Sequence, residues 1–147
     1  GQMVQRFCQA LANGQAQQVE QIFARYMSKT VSVRDTFVRK AIRENFYHGI
    51  LLGILSFKDG WTVTSNRESG NGFSDILIQI DDSDTGIVIE VKYTEEGKSI
   101  ESDCKAALKQ IDEKNYTETL YQAGVKRILK YGIACQIKDC KVMLEEE

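Results

Sequence analysis

The run Gly86-Ile87-Val88-Ile89-Glu90-Val91-Lys92-Tyr93 constrains the fold more than any other stretch of this chain. Every residue before Glu90 except the glycine is β-branched, so a strand is the natural reading. Side chains two apart on a strand share a face, so Glu90 and Lys92 point together while Val91 points away. Charge in the middle of an otherwise apolar strand is costly unless it is paired or holds a metal. Upstream, Ser74-Asp75-Ile76-Leu77-Ile78 sets another acid at the head of another apolar run.

The bounds around this feature are ordinary. With 147 residues the chain makes one domain with a sizeable core, and 42% hydrophobic with 27% charged residues suits a soluble globular protein. The longest apolar stretch, Gly49 to Leu55, is too short to cross a bilayer, so no membrane association is expected. Nothing at the start resembles a signal peptide, which makes the cytoplasm the expected location. An opening glycine suggests a fragment of something longer. Cysteines at 8, 104, 135 and 140 form no Cys-x-x-Cys pair, and the single His48 completes no usual zinc spacing. Reduced and mostly buried thiols are expected.

The net charge of -2 argues against a bulk electrostatic grip on nucleic acid, but it is unevenly spread. Residues 1–73 hold nine Lys or Arg against five Asp or Glu, a balance of +4, and residues 74–147 hold ten against sixteen, a balance of -6. The front half would then face phosphates while the rear carries an acid cluster. On charge alone, solvated surface explains the asymmetry as well.

The chain contains no proline, so glycine and polar clusters mark its joints. A first helix is expected over Ala16 to Met27, with Ile22, Phe23, Tyr26 and Met27 on one side. Ser32 can cap a longer one in which Val33, Phe37, Ala41, Phe46, Ile50, Leu51 and Leu55 recur, ending near Phe57. Trp61 to Asn66 reads as a strand, Gly70-Asn71-Gly72 as a turn, and Asp75 to Ile80 as a second strand. The acidic turn Asp81-Asp82-Ser83-Asp84 leads into the strand of Glu90. Ser99 to Gln122 suits one helix, closed by Gly124 and a short basic stretch. Tyr131 to Ile137 and Lys141 to Leu144 suit a closing strand pair. This order predicts a central mixed sheet with helices on both faces.

Asp75 followed by Glu90-Val91-Lys92 resembles the signature of the PD-(D/E)XK nuclease superfamily, with Ser74 standing where the label has proline. Further stretches strengthen the resemblance: Glu44 to Leu55, Ser65 to Asp75, Ala107-Leu108-Lys109-Gln110-Ile111 with Tyr116, and Lys130-Tyr131-Gly132-Ile133-Ala134. Together they are similar to the nuclease-like domain found at the C-terminus of bacterial and archaeal AAA-ATPase-like proteins. The similarity covers Glu44 to Val142. It implies a restriction-endonuclease-like three-layer α/β/α sandwich over 44–147, with 1–43 a helical lead-in left from a longer protein. It also implies an attached AAA-ATPase-like region as partner, a nucleic-acid substrate with DNA foremost, and a homodimer as an arrangement relatives often adopt.

What the resemblance implies chemically is a magnesium-dependent phosphodiesterase, with manganese as a substitute. Such cleavage needs an attacking water, neutralised phosphoryl charge and a stabilised leaving oxygen, which carboxylate-held magnesium can serve. Asp75 and Glu90 would be ligands, with the Val91 carbonyl a third, and Glu44 would match the helical acid that reaches the metal directly or through water. Lys92 would orient the water and steady the phosphate. A base role needs a burial-lowered pKa, which the neighbouring acids oppose. Gln110 would match a polar residue that positions water or substrate. The residues taken singly also fit plainer roles. Glu90 with Lys92 fits an exposed ion pair on an edge strand, Glu44 and Gln110 fit solvated helix positions, and His48 fits a hydrogen-bonded structural group. Tyr93 and Tyr116 fit core or rim packing, with base stacking the alternative. A nuclease-fold interaction module with little or no cleavage is the second class, which retention of Asp75, Glu90 and Lys92 together disfavours.

Overall fold

The computed structural model describes residues 1–30, 40–67 and 73–147. Helix α1 spans Gln2–Ala12 and α2 spans Ala16–Thr30. Each buries one stripe, Phe7, Cys8, Ala10 and Leu11 on α1 and Val19, Ile22, Phe23 and Met27 on α2, the spacing that lays one face of a helix on a core. The expected first helix is therefore the second one. The helix ahead of it was legible in the Val4, Phe7, Cys8, Leu11 repeat. Helix α3, Lys40–Leu55, follows. Ser32, Val33, Phe37 and the turn at Gly70-Asn71-Gly72 lie outside the described residues.

Among the described residues five strands form one sheet in sequence order: β1 Trp61–Arg67, β2 Phe73–Ile80, β3 Thr85–Tyr93, β4 Arg127–Gln136 and β5 Asp139–Glu146. Strands β3 and β4 run parallel and the other described neighbours antiparallel, so the sheet is mixed. That parallel pair needs a crossover, supplied by α4, Ile100–Lys114, and α5, Thr117–Gln122. One helix was expected here and two are found, because Asn115 takes a left-handed conformation (φ 57°) and ends α4. Ser99 caps the start of α4, its hydroxyl accepting from the Ser102 N–H at 3.1 Å. Strand β4 begins at Arg127, four residues before the expected Tyr131, so the basic stretch is part of the sheet.

The strand alternation sorts the core into two layers. Ile87, Ile89, Val91 and Tyr93 of β3 point into a cluster shared by α1, α2, α3 and odd positions of β4. Val88 points the other way, to Leu77, Ile128 and the apolar side of α4 and α5. This is the restriction-endonuclease-like α/β arrangement, with helices on both sides of the sheet and a helical segment before it. Tyr131 ties α1 to the sheet by donating to the Leu11 carbonyl at 2.6 Å. Gly132 sets the depth of α4: a Cβ there would lie 2.5 Å from the Cys104 carbonyl oxygen, so only glycine permits this approach.

All four cysteines are free. Burial pushes the thiols of Cys8 and Cys104 up to about 11 and that of Cys140 up to about 12, as expected of thiols serving as packing. Among the described residues, no helix is long and apolar enough to cross a membrane.

Candidate active site

Asp75 and Glu90 are direct cross-strand partners in the β2–β3 ladder. Both lie on the α4 face, with Leu77 and Val88 as their apolar neighbours two residues away. Their exposures are 0% and 1%, so two carboxylates occupy one interior position. The Thr94 N–H donates to the Cys135 carbonyl of β4, which places the backbone groups of even β3 residues towards β4 and those of odd residues towards β2. Asp75 and Glu90 are then a pair without mutual backbone bonds, the kind whose side chains stand closer, with Cβ atoms about 4.5–5.5 Å apart. Glu90 Oε2 accepts no hydrogen bond among the described residues.

Lys92 follows two residues along β3, half-buried on the face of Glu90. A second lysine arrives from the helix above. Lys114, the last residue of α4, sets its Nζ 3.6 Å from Glu90 Oε1. Sequence reasoning missed it, since Asp112-Glu113-Lys114 reads as solvated helix surface. The available signal was its position one turn beyond Gln110, on the same flank of α4. Gln110 is half-buried there, within the same layer.

Glu44 comes from the opposite layer. Its Oε2 accepts from the Tyr93 N–H at 3.1 Å, reaching the β3 backbone just past the acid pair. The Val91 carbonyl projects along the same flank of β3, where the described pairing with β2 ends at Asp75–Glu90. Among the described residues no three His, Cys, Asp or Glu side chains gather as a metal cluster, so Glu44 stands apart from the two central acids. The donor set nonetheless fits a hard divalent cation. Two buried carboxylates face each other, one of their oxygens makes no hydrogen bond to the described residues, and carboxylates with backbone oxygen are what magnesium selects.

The remaining polar candidates make contacts within the fold. His48 is buried, with Nε2 2.8 Å from Ser65 Oγ, and so joins α3 to β1. Tyr93 stacks on Tyr47 at 6.0 Å, with the buried Arg43 guanidinium 5.6 Å from its ring centre, which makes it core packing. Burial raises the Tyr47 hydroxyl to about 12, and it donates to the Ile137 carbonyl at 2.5 Å. Tyr116 packs against the cluster under α4 and α5.

A mixed sheet between helical layers, carrying an acid on one strand opposite Glu-x-Lys on the next, defines the class of nuclease-fold α/β proteins. Comparison with protein families agrees. The family model of the PD-(D/E)XK nuclease superfamily matches residues 42–145, and the chain belongs to that superfamily. Its members are in general nucleases and usually use divalent metals such as magnesium. Comparison with curated proteins and with solved structures gave no match.

Proposed function

We propose that this chain is a magnesium-dependent nuclease domain that hydrolyses phosphodiester bonds in nucleic acid, DNA being the expected polymer. The observation that carries this reading is the register of Asp75 opposite Glu90, both buried, with Lys92 on the same face. Asp75 and Glu90 would hold Mg2+, or Mn2+ in its place, with the Val91 carbonyl as a further ligand and Glu44, which stands apart on α3, joining through water. The bound cation supplies Lewis-acid charge and a more acidic water. Lys92 orients that water and offsets phosphate charge, and Gln110 positions water or substrate from the helix above. An AAA-ATPase-like region of a longer protein is the proposed partner in cis, and a homodimer the proposed assembly for cutting two strands.

The decisive experiment incubates purified protein with DNA and RNA, single and double stranded, with Mg2+ or Mn2+. Metal-dependent cleavage lost in Asp75→Ala and Lys92→Ala supports the assignment, whereas cleavage undiminished in either variant sinks it. One observation favours a second reading, a nuclease-fold interaction module without cleavage: Lys114 already neutralises Glu90. Polymer binding without cleavage, unaffected by Glu90→Gln, would select that reading.

A further inference from the structure

The contact between Lys114 and Glu90 has the form of a loose ion pair. At 3.6 Å it lies beyond the 2.7–2.9 Å or so of a tight charge-assisted hydrogen bond, and the Lys114 side chain is 19% exposed while that of Glu90 is 2% exposed. We infer that Lys114 is a tethered counter-cation: it holds Glu90 until a divalent cation arrives, yields to that cation, and thereby sets the metal affinity of the Asp75–Glu90 pair. The inference rests on the reading of these two acids as the metal seat.

Three features support the role. Two carboxylates placed directly opposite each other repel, and their burial strengthens the repulsion, so the metal-free site needs positive charge nearby. Lys114 faces Oε1 while Oε2 is open, so a divalent cation held by this carboxylate would stand close to the Lys114 ammonium, and two positive charges at that range in a buried site repel. Lys114 also has somewhere to go. It ends α4, where the helix carbonyls carry partial negative charge, and its flexible stem can withdraw towards solvent without moving the sheet.

Isothermal titration calorimetry of the full chain with Mn2+, comparing the native protein with Lys114→Met and Lys114→Arg, tests this. Lys114→Met is expected to bind Mn2+ roughly five- to tenfold tighter, the scale of one lost competing ion pair, while Lys114→Arg keeps near-native affinity. Without metal, Lys114→Met should unfold at lower urea than the native protein, and saturating Mn2+ should close the gap. A purely structural lysine would give the first loss without the gain in affinity. Equal or weaker Mn2+ binding by folded Lys114→Met overturns the inference and leaves the metal seat standing. If no variant and no native protein binds Mn2+, the metal seat falls and this role with it. Lys114→Gln provides the same comparison should the methionine variant fail to fold.

Discussion

Two charge clusters lie beneath α4, and they are built in opposite senses. Around Lys130, one buried cation is met by three half-exposed acids: Asp112 at 2.7 Å, Glu147 at 3.1 Å and Glu145 at 3.7 Å. Burial pulls the pKa of Lys130 down, but the hydrogen bonds that it donates to Asp112 and Glu147 outweigh it and the net direction is up. Around Asp75 and Glu90 the acids are buried, and Lys114 approaches from the end of α4. The first cluster is saturated, and its chemistry ends there. The second concentrates negative charge where water is scarce, and such charge is stabilised most by a cation from outside. Charge inside a core is therefore not by itself a sign of a site; which partner is buried separates the two cases.

The largest expected effect falls on the acid pair. Asp75→Ala or Glu90→Ala should lower cleavage by at least about a thousandfold, in line with losing several kcal/mol of transition-state stabilisation, whereas Lys130→Met should cleave at near-native rate in gel assays at one temperature. Gly132→Ala tests both clusters together, because the added Cβ drives α4 off β4; a loss of about 3 kcal/mol is expected in urea denaturation. Mn2+ at about a hundred times its Kd should stabilise the native chain by about 2.7 kcal/mol. That gain should vanish in Asp75→Asn and persist in Lys130→Met, and persistence in both would erase the difference between the two clusters. Lys130→Met itself should cost about 2 kcal/mol or less, since its acid partners are half-exposed and can rehydrate. The pH dependence has a definite sign. With a pKa raised on folding, the Lys130 contribution is complete below the ordinary lysine value of about 10.4 and is lost as pH climbs through the raised one. Denaturation midpoints of the two proteins should thus converge only in strong alkali.

The sheet was legible because its strands carry strong patterns. Thr85–Tyr93 is apolar on both alternations except for its charges, and Trp61–Arg67, Phe73–Ile80 and the closing pair are bounded by turn residues. The break at Asn115 was not legible, because a single left-handed residue inside a polar helix leaves no gap in periodicity. Lys130 reads in the sequence only as the end of a short basic stretch, while in the fold it is a buried β4 cation paired with Asp112 of α4 and Glu145 of β5. Lys114 was hidden for the same reason, since its partner lies 24 residues earlier and on another element. Short-range pattern exposes Glu90 and Lys92; partners supplied by tertiary packing leave no such trace.

The pairing of Asp75 with Glu90 depends on how many residues the chain spends between the two strands. Asp81-Asp82-Ser83-Asp84, with Asp82 in a left-handed conformation (φ 57°), closes the β2–β3 hairpin, and its length acts as a ruler. Losing or gaining one residue there would slide β2 by one step and turn Asp75 to the far side of the sheet, among the aliphatic residues above α3. A misaligned hairpin would thus carry no acid pair at all, and a chain able to hold a cation between these strands has, by that fact, folded in register.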